Sequence, residues 1–192
     1  ANIERRSIGE PVAYIIGRQG FWDLDLRVTP ATLVPRAETE LLVETVLAIA
    51  CNRSQCSVVD LGTGSGAIAL ALARERPAWS ITATDKESEA LAVAEQNAAQ
   101  YNLSLTFVQS EWFLNLQHCR FDLVVSNPPY IERSDPHLEK LRFEPVSALT
   151  SGADGLKDIR VICNQAPDFL KPQGWLLLEH GYNQAQMVRD LL

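Results

Sequence analysis

Asp60-Leu61-Gly62-Thr63-Gly64-Ser65-Gly66 follows the apolar pair Val58-Val59 and runs into Ala67-Ile68-Ala69-Leu70-Ala71-Leu72-Ala73. A buried strand, a tight glycine turn and a helix in that order are what a nucleotide-type cofactor loop requires. The glycines allow positive φ and close backbone approach, and the helix start offers unpaired N–H groups to a polar ligand. A second stretch, Asn127-Pro128-Pro129-Tyr130, follows the apolar run Phe121-Asp122-Leu123-Val124-Val125-Ser126. Its two prolines cannot continue a sheet. Both stretches therefore sit at strand carboxyl ends, where open α/β sheets bind ligands.

Outward from these two points the chain alternates regularly. Strands are expected at 57–61, 81–84, 105–108, 120–126 and 174–179, with helices at 38–50, 66–75, 88–101 and 155–169. Strands separated by helices predict an α/β fold, a doubly wound and mostly parallel sheet. Residues 1–18 read as a tail leading into a turn. Phe21 to Val28 alternates, with Phe21, Asp23, Asp25 and Arg27 opposite Trp22, Leu24, Leu26 and Val28, and predicts half-buried strand pairing. Residues 129–153 read as a long loop. Two units are expected: a linker and β-hairpin segment over 1–36 and a catalytic domain over 37–192. Met187 to Leu192 is helical in pattern after only five clear strands, which reads as a truncated chain.

The chain has 192 residues, 46% of them apolar, and a net charge of −7. That balance disfavours nonspecific phosphate binding while leaving room for a local basic patch. Cys51, Cys56, Cys119 and Cys163 show no paired or zinc spacing, so free thiols in a reducing cytosol are expected. The sequence carries no apolar run of membrane length and no leader pattern, which predicts a cytoplasmic protein. His118, His137 and His180 follow no metal spacing.

A bare glycine pattern also fits dinucleotide dehydrogenases and plain tight turns. Asp60 shifts the balance, because a carboxylate there repels a pyrophosphate and attracts a cation. S-adenosylmethionine carries an ammonium and a sulfonium and no phosphate. Asp85, ending the second strand, suits a pair of ribose hydroxyls, the alternative being a helix cap. At Asn127-Pro128-Pro129-Tyr130, the Asn oxygen and the Pro128 carbonyl could accept both hydrogens of a planar –NH₂ group and stabilise charge appearing on its nitrogen. Tyr130 would stack on the flat group.

Taken together these stretches resemble the S-adenosylmethionine-dependent amino-methyltransferases. Within them the chain is similar to the glutamine-N5 methyltransferases of peptide-chain release factors, the HemK-type family. The likeness rests on Arg5-Arg6-x-x-Gly9-Glu10-Pro11-x-Ala13-Tyr14-Ile15-x-Gly17, on Leu33-Val34-Pro35-Arg36-Ala37-Glu38-Thr39-Glu40, on the glycine loop and on Asn127–Tyr130. Phe143-Glu144-Pro145 with Ala148-Leu149, and Leu178-Glu179-His180-Gly181, complete it.

The resemblance implies a Rossmann-like class I methyltransferase with S-adenosylmethionine as cofactor. Cofactor contacts are expected at Asp60, Gly62, Thr63, Gly64, Ser65, Gly66, Asp85, Trp112 and Asn127. Substrate contacts are expected at Asn127, Pro128, Pro129, Tyr130 and Leu33, of which Asn127, Pro128 and Tyr130 would be catalytic. Arg36, Glu38 and Glu40 would fix the entry segment, with Glu38 able to face the site. The implied reaction methylates the glutamine side chain of a Gly-Gly-Gln tripeptide in a release factor. A monomer, with neither membrane nor direct nucleic-acid contact, is expected. Ala37 departs from the family's usual proline, and the family's N-terminal helical domain and final strands are missing from this sequence. The main alternative is methylation of an exocyclic amine on adenine or guanine in RNA or DNA. A non-catalytic binding module and a nicotinamide dehydrogenase fit the acidic and Asn-Pro-Pro-Tyr residues less well.

Overall fold

The structure, a computed structural model, describes residues 2–192. Two short helices, α1 (Asn2–Ser7) and α2 (Val12–Ile16), open it where a turn-bound tail was expected. At six and five residues they are too short for a 3.6-residue apolar period to show: α1 buries no residue and α2 only Ala13 and Tyr14. Strands β1 (Arg18–Phe21) and β2 (Leu24–Arg27) then form an antiparallel hairpin. Trp22 takes φ 57° and breaks the alternation expected to run through Phe21–Val28. The two-residue turn places Phe21 opposite Leu24, and opposed residues share a face. Phe21 is therefore buried with Leu24, Leu26 and Val28, not exposed with Asp25 and Arg27 as the uninterrupted pattern implied.

A 3₁₀ turn (Ala37–Thr39) leads into α3 (Glu40–Ile49). The wound core follows as β3 (Ser57–Leu61), α4 (Ala67–Glu75), β4 (Ser80–Asp85), α5 (Ser88–Gln100), β5 (Thr106–Gln109), β6 (Phe121–Ser126), α6 (Lys157–Phe169), β7 (Leu170–Leu178) and α7 (Ala185–Arg189). The five strands from β3 to β7 pair in parallel in the order β5-β4-β3-β6-β7. Between β6 and α6 the expected loop contains two 3₁₀ turns, Pro136–Leu141 and Val146–Ala148. Strand β7 starts earlier than its apolar run suggested, across an irregularity in register between Phe121 and Leu123. Polar Lys171 and Gln173 hide that first half from a hydrophobicity pattern.

Alternation along the strands divides the core. Val58, Leu123 and Val125 face one side, packed with the hairpin's Phe21, Leu24 and Leu26 and with α3, α4 and α5. Val59, Leu61 and Val124 face the other, with Phe113, Phe121, Ile162 and Ala166. Segment 1–36 thus shares its core with the sheet domain. At the amino ends of the strands, Asp122 accepts hydrogen bonds from the Ser57 amide (2.8 Å), Arg53 Nη1 (2.9 Å) and Lys171 Nζ (2.9 Å). Burial opposes its ionisation, but the Ser57 amide and the Lys171 ammonium outweigh that and hold the carboxyl down to about 2. The polar pins lie at one end of the sheet and the glycine turn at the other.

Strand β3 has β4 on one side and β6 on the other, so the winding reverses there. The carboxyl ends of β3 and β6 are adjacent, Leu61 opposite Ser126, and the crevice at such a switch point is where this fold receives ligands.

Gly66, immediately before α4, has φ 86°, and a Cβ there would stand 2.9 Å from Leu70 Cδ1 and 3.2 Å from Ala94 Cβ. Gly64 also has positive φ, yet a Cβ there would meet nothing within 4 Å. Both Gly→Ala changes carry the left-handed cost of about 1–2 kcal/mol. Only Gly66→Ala adds overpacking, about 1–3 kcal/mol more. Urea unfolding of the two variants is expected to show G66A as the less stable by at least about 1 kcal/mol; equal midpoints would contradict the packing role.

Candidate active site

Beyond Leu61 the chain turns over Gly62 (φ 70°), Gly64 (φ 57°) and Gly66. The Thr63 amide donates to the Thr84 carbonyl at 2.8 Å, fixing the turn to the end of β4. Asn97 on α5, fully buried, pins it from the other side. Its Nδ2 donates to Ser65 O (2.8 Å) and Arg27 O (3.0 Å) while its Oδ1 accepts from the Arg27 amide (2.8 Å). A single amide therefore ties the hairpin to the loop. Gly66, at the N-cap of α4, has no side chain with which to cap the helix.

Asp85 ends β4 beside the loop, its Oδ2 accepting from the Gly64 amide at 2.9 Å and its Oδ1 from the Glu87 amide at 3.0 Å. Burial raises its pKa, and the two amides work against the rise. Asp60 lies deeper. It is fully buried; Oδ2 accepts from the Thr63 hydroxyl at 2.6 Å, and Oδ1 has no hydrogen-bond partner among the described residues. Burial pushes its carboxyl up to about 7, with the Thr63 hydroxyl and then the Ala69 amide opposing the shift and the negative charge of Asp85 adding to it. A carboxyl raised from 3.8 to about 7 binds a proton in the folded state that the unfolded chain releases, so Asp60 subtracts stability as pH rises through that window.

Trp112 lies against the glycine loop: a Cβ on Gly62 would come within 3.6 Å of its ring. The residue adopts φ 48°, unusual for a tryptophan. Ser110 stabilises that turn, its hydroxyl donating to Trp112 O (2.9 Å) and accepting from the Asn115 amide (3.0 Å).

On the neighbouring strand end, the Ser126 hydroxyl donates to Leu61 O at 2.7 Å and knits β6 to β3 just below the site. Asn127 Nδ2 donates to Thr39 Oγ1 at 3.1 Å, the Thr39 hydroxyl donates to Glu179 Oε2 at 2.7 Å, and the Tyr130 hydroxyl donates to Glu179 Oε1 at 3.1 Å. Among the described residues nothing donates to Asn127 Oδ1. Tyr130 is pushed up to about 12 by burial and then by the Glu179 charge, so its hydroxyl keeps its proton. Its ring packs with the cluster of Leu156, Ile159, Cys163 and Val188. Gln184 Nε2 donates to Tyr130 O at 3.0 Å, further fixing the loop.

The entry segment is held from below. Buried Glu144 pairs with Arg36 and accepts from the Val34 amide at 3.0 Å, and the Tyr14 hydroxyl donates to Thr32 O at 2.6 Å. Glu40 accepts from the Trp22 amide at 2.8 Å, whereas Glu38 is exposed.

These elements border an open cleft. Of the residues expected from sequence, Leu33, Gly62, Thr63, Gly64, Ser65, Asp85, Trp112, Asn127 and Pro129 line it. Asp60, Gly66, Pro128, Tyr130 and Glu38 are not on its wall. Tyr130 contributes its hydroxyl to Glu179 and its ring to the core, where stacking on a flat ligand group had been expected. Thr39, Ser110, Pro145 and Ala148 also line the cleft, although no contact was expected of them, and Glu179 acts just behind it. Thr39 and Glu179 were visible only as members of short motifs; nothing in their spacing links residues 140 positions apart. No group of His, Cys, Asp and Glu among the described residues could hold a metal, and the cysteines are free. No helix among them is long and apolar enough to cross a membrane.

A methyltransferase small domain family matches residues 37–143, the span from the entry turn through both strand-end loops. The chain is similar to the release factor glutamine methyltransferase of Pseudomonas aeruginosa, 58% identical over 99% of this chain and 70% of that protein. It is 48% identical to that of Coxiella burnetii, over 100% of this chain and 70% of the relative. Among solved structures it resembles a Pyrococcus furiosus methyltransferase (TM-score 0.65, 18% identity, 98% of this chain and 82% of that one). A 16S rRNA N2 G1207 methyltransferase of Thermus thermophilus, in complex with AdoMet and guanosine, also matches (TM-score 0.69, 17% identity, 91% and 44%). At those identities the two structures speak for the Rossmann-like methyltransferase fold alone. Sequence identity near one half across the whole chain goes further, and by it this chain belongs to the release factor glutamine methyltransferase family.

Proposed function

We propose that this protein is an S-adenosylmethionine-dependent enzyme that methylates the side-chain nitrogen of the glutamine in the Gly-Gly-Gln tripeptide of a peptide-chain release factor. The observation that carries it is Asn127, at the switch point, with Nδ2 engaged by Thr39 and Oδ1 left to accept from the cleft. The relatives' names supply the acceptor: a release factor glutamine.

The residues present fit the cofactor. An unpartnered buried oxygen on Asp60 provides latent negative charge beneath the glycine loop, suited to a cation and hostile to a pyrophosphate. Gly62 and Gly64 would let the backbone approach the ligand closely, Asp85 would accept from ribose hydroxyls, and Trp112 would flank the adenine. Bound S-adenosylmethionine supplies an electrophilic methyl group on sulfur and leaves as a neutral thioether. The protein's part is to hold and orient the amide. Asn127 Oδ1, and the carbonyl of Pro128 between the wall residues Asn127 and Pro129, would accept its two N–H groups, push electron density toward a nitrogen otherwise delocalised into its carbonyl, and stabilise the positive charge that forms there. No general base is required beforehand, because the proton leaves after transfer. Leu33, Pro129 and the Glu144-held entry segment would border the substrate side. In this reading residues 37–192 are the methyltransferase unit and 1–36 its entry segment. The protein acts as a cytoplasmic monomer without direct nucleic-acid contact, the last of these supported by the net charge of −7.

Methyl transfer is tested with labelled S-adenosylmethionine, a release factor and the same factor with its Gly-Gly-Gln glutamine changed to alanine. Label is expected on the first alone, and Asn127→Ala is expected to lower kcat/KM by about 100-fold or more. Label on RNA instead, or on the alanine factor equally, would overturn the assignment.

Asp60 predicts a proton linkage. A carboxyl poised at about 7 is neutral in the free protein below that pH and ionises when a cation arrives. Affinity for S-adenosylhomocysteine, which keeps the ammonium, is expected to rise by about three- to tenfold from pH 6 to pH 8, with proton release seen by calorimetry in two buffers. Asp60→Asn is expected to flatten that rise; a flat wild-type profile would refute the role given to Asp60.

A further inference from the structure

We infer that Glu179, acting through Thr39, fixes which way round the Asn127 carboxamide faces, and so makes position 127 a hydrogen-bond acceptor toward the substrate. The inference rests on the methyl-transfer reading of the cleft. An Asn side chain has a donor end and an acceptor end of nearly the same shape, and only the acceptor end can receive an –NH₂ hydrogen. Something must therefore break the symmetry.

The structure contains a chain of hydrogen bonds that does so. A carboxylate has no proton to give, so both contacts on Glu179 must be donated to it, by Thr39 at 2.7 Å and Tyr130 at 3.1 Å. The Thr39 hydroxyl has a single proton, and Glu179 takes it. Toward Asn127 the Thr39 oxygen can then only accept, and the atom 3.1 Å away must be Nδ2. Turning the carboxamide over would set two oxygens against each other with no proton between them. It would also present N–H groups to an incoming –NH₂.

Burial makes that error expensive: Thr39 is 4% exposed, and an unpaired polar contact costs most where water is excluded. The three residues come from the turn before α3, the end of β6 and the end of β7. Their spacing is held by backbone, since the Glu179 amide donates to Ser126 O at 3.0 Å, next to Asn127. Tyr130, through its hydroxyl, holds the second carboxylate oxygen and leaves Oε2 to Thr39. Thr39 and Glu179 are thus positioning residues for Asn127.

The test is a set of variants assayed for methyl transfer and for S-adenosylhomocysteine binding. Thr39→Val keeps the shape and removes the relay. It is expected to lower kcat by roughly 10- to 100-fold while the dissociation constant changes by less than about threefold, and Thr39→Ser is expected to restore most of the loss. An unchanged kcat in a T39V protein that binds S-adenosylhomocysteine normally would overturn the inference.

A second pair decides the matter even if T39V fails to fold. Asn127→Asp sets two carboxylates around one hydroxyl proton. Adding Glu179→Gln reverses the whole relay: the new amide donates to Thr39, which donates to the new carboxylate, whose other oxygen still accepts toward the cleft. The N127D/E179Q protein is expected to exceed N127D in kcat by about tenfold. A double variant no better than N127D would overturn the relay. If wild-type label went to a nucleic-acid amine, the same ratios would be read on that acceptor, so failure of the glutamine assignment and failure of the relay remain separate results.

Discussion

The parallel pairing of β3 with β4 on one side and β6 on the other is the constraint on which the rest depends. It brings the carboxyl ends of β3 and β6 together, and with them two loops separated by some sixty residues of chain. Neither loop could form a site alone. The glycine turn brings a tight backbone up to the end of β4, and the Asn-Pro-Pro-Tyr turn sets the Asn127 carboxamide on a backbone that prolines stiffen. Burial secures the pairing, since Val58, Val59, Leu123, Val124 and Val125 are wholly inaccessible and leave the strands no alternative register that keeps both faces apolar.

Around that junction, buried polar side chains carry the positional information. Asn97 ties the hairpin to the glycine loop, Ser126 ties β6 to β3, Glu144 holds the entry segment, and Glu179 collects Thr39 and Tyr130. Each of these, satisfied, orders two segments; each would be costly left unpaired. Asp60 is the exception, with one oxygen unpaired in a fully buried place. Its burial holds the carboxyl up to about 7, a cost that the folded protein carries as pH rises toward that value.

Much of the fold was legible from periodicity alone. Alternating apolar strands and alanine-rich helices gave β3 through α5 nearly to the residue, because those elements are buried on both faces or along a broad stripe. The misreadings occurred where tertiary contacts override local pattern. Trp22 in a left-handed turn splits what looked like one strand, and α1 and α2 are too short to have a period. On the cleft wall, Gly62, Gly64 and Pro129 were legible because they carry backbone requirements that few other residues meet, while Gly66 and Pro128 lie off it. Thr39 and Glu179 were not, because a hydrogen bond between residues so far apart leaves no local trace. Tyr130 was legible as important but not in its manner: an aromatic after two prolines invites stacking, while the structure turns its ring into the core.

Everything in the proposed chemistry turns on a methyl group reaching the nitrogen of a primary amide in the cleft. The most direct measurement is an NMR spectrum of a release factor carrying ¹⁵N in its glutamine side chains, after incubation with the protein and S-adenosylmethionine labelled with ¹³C at the methyl. A one-bond ¹³C–¹⁵N coupling on the Gly-Gly-Gln glutamine, with a single N–H remaining, is the predicted result. A ¹³C methyl signal without that coupling would place the methyl on another atom and contradict the account.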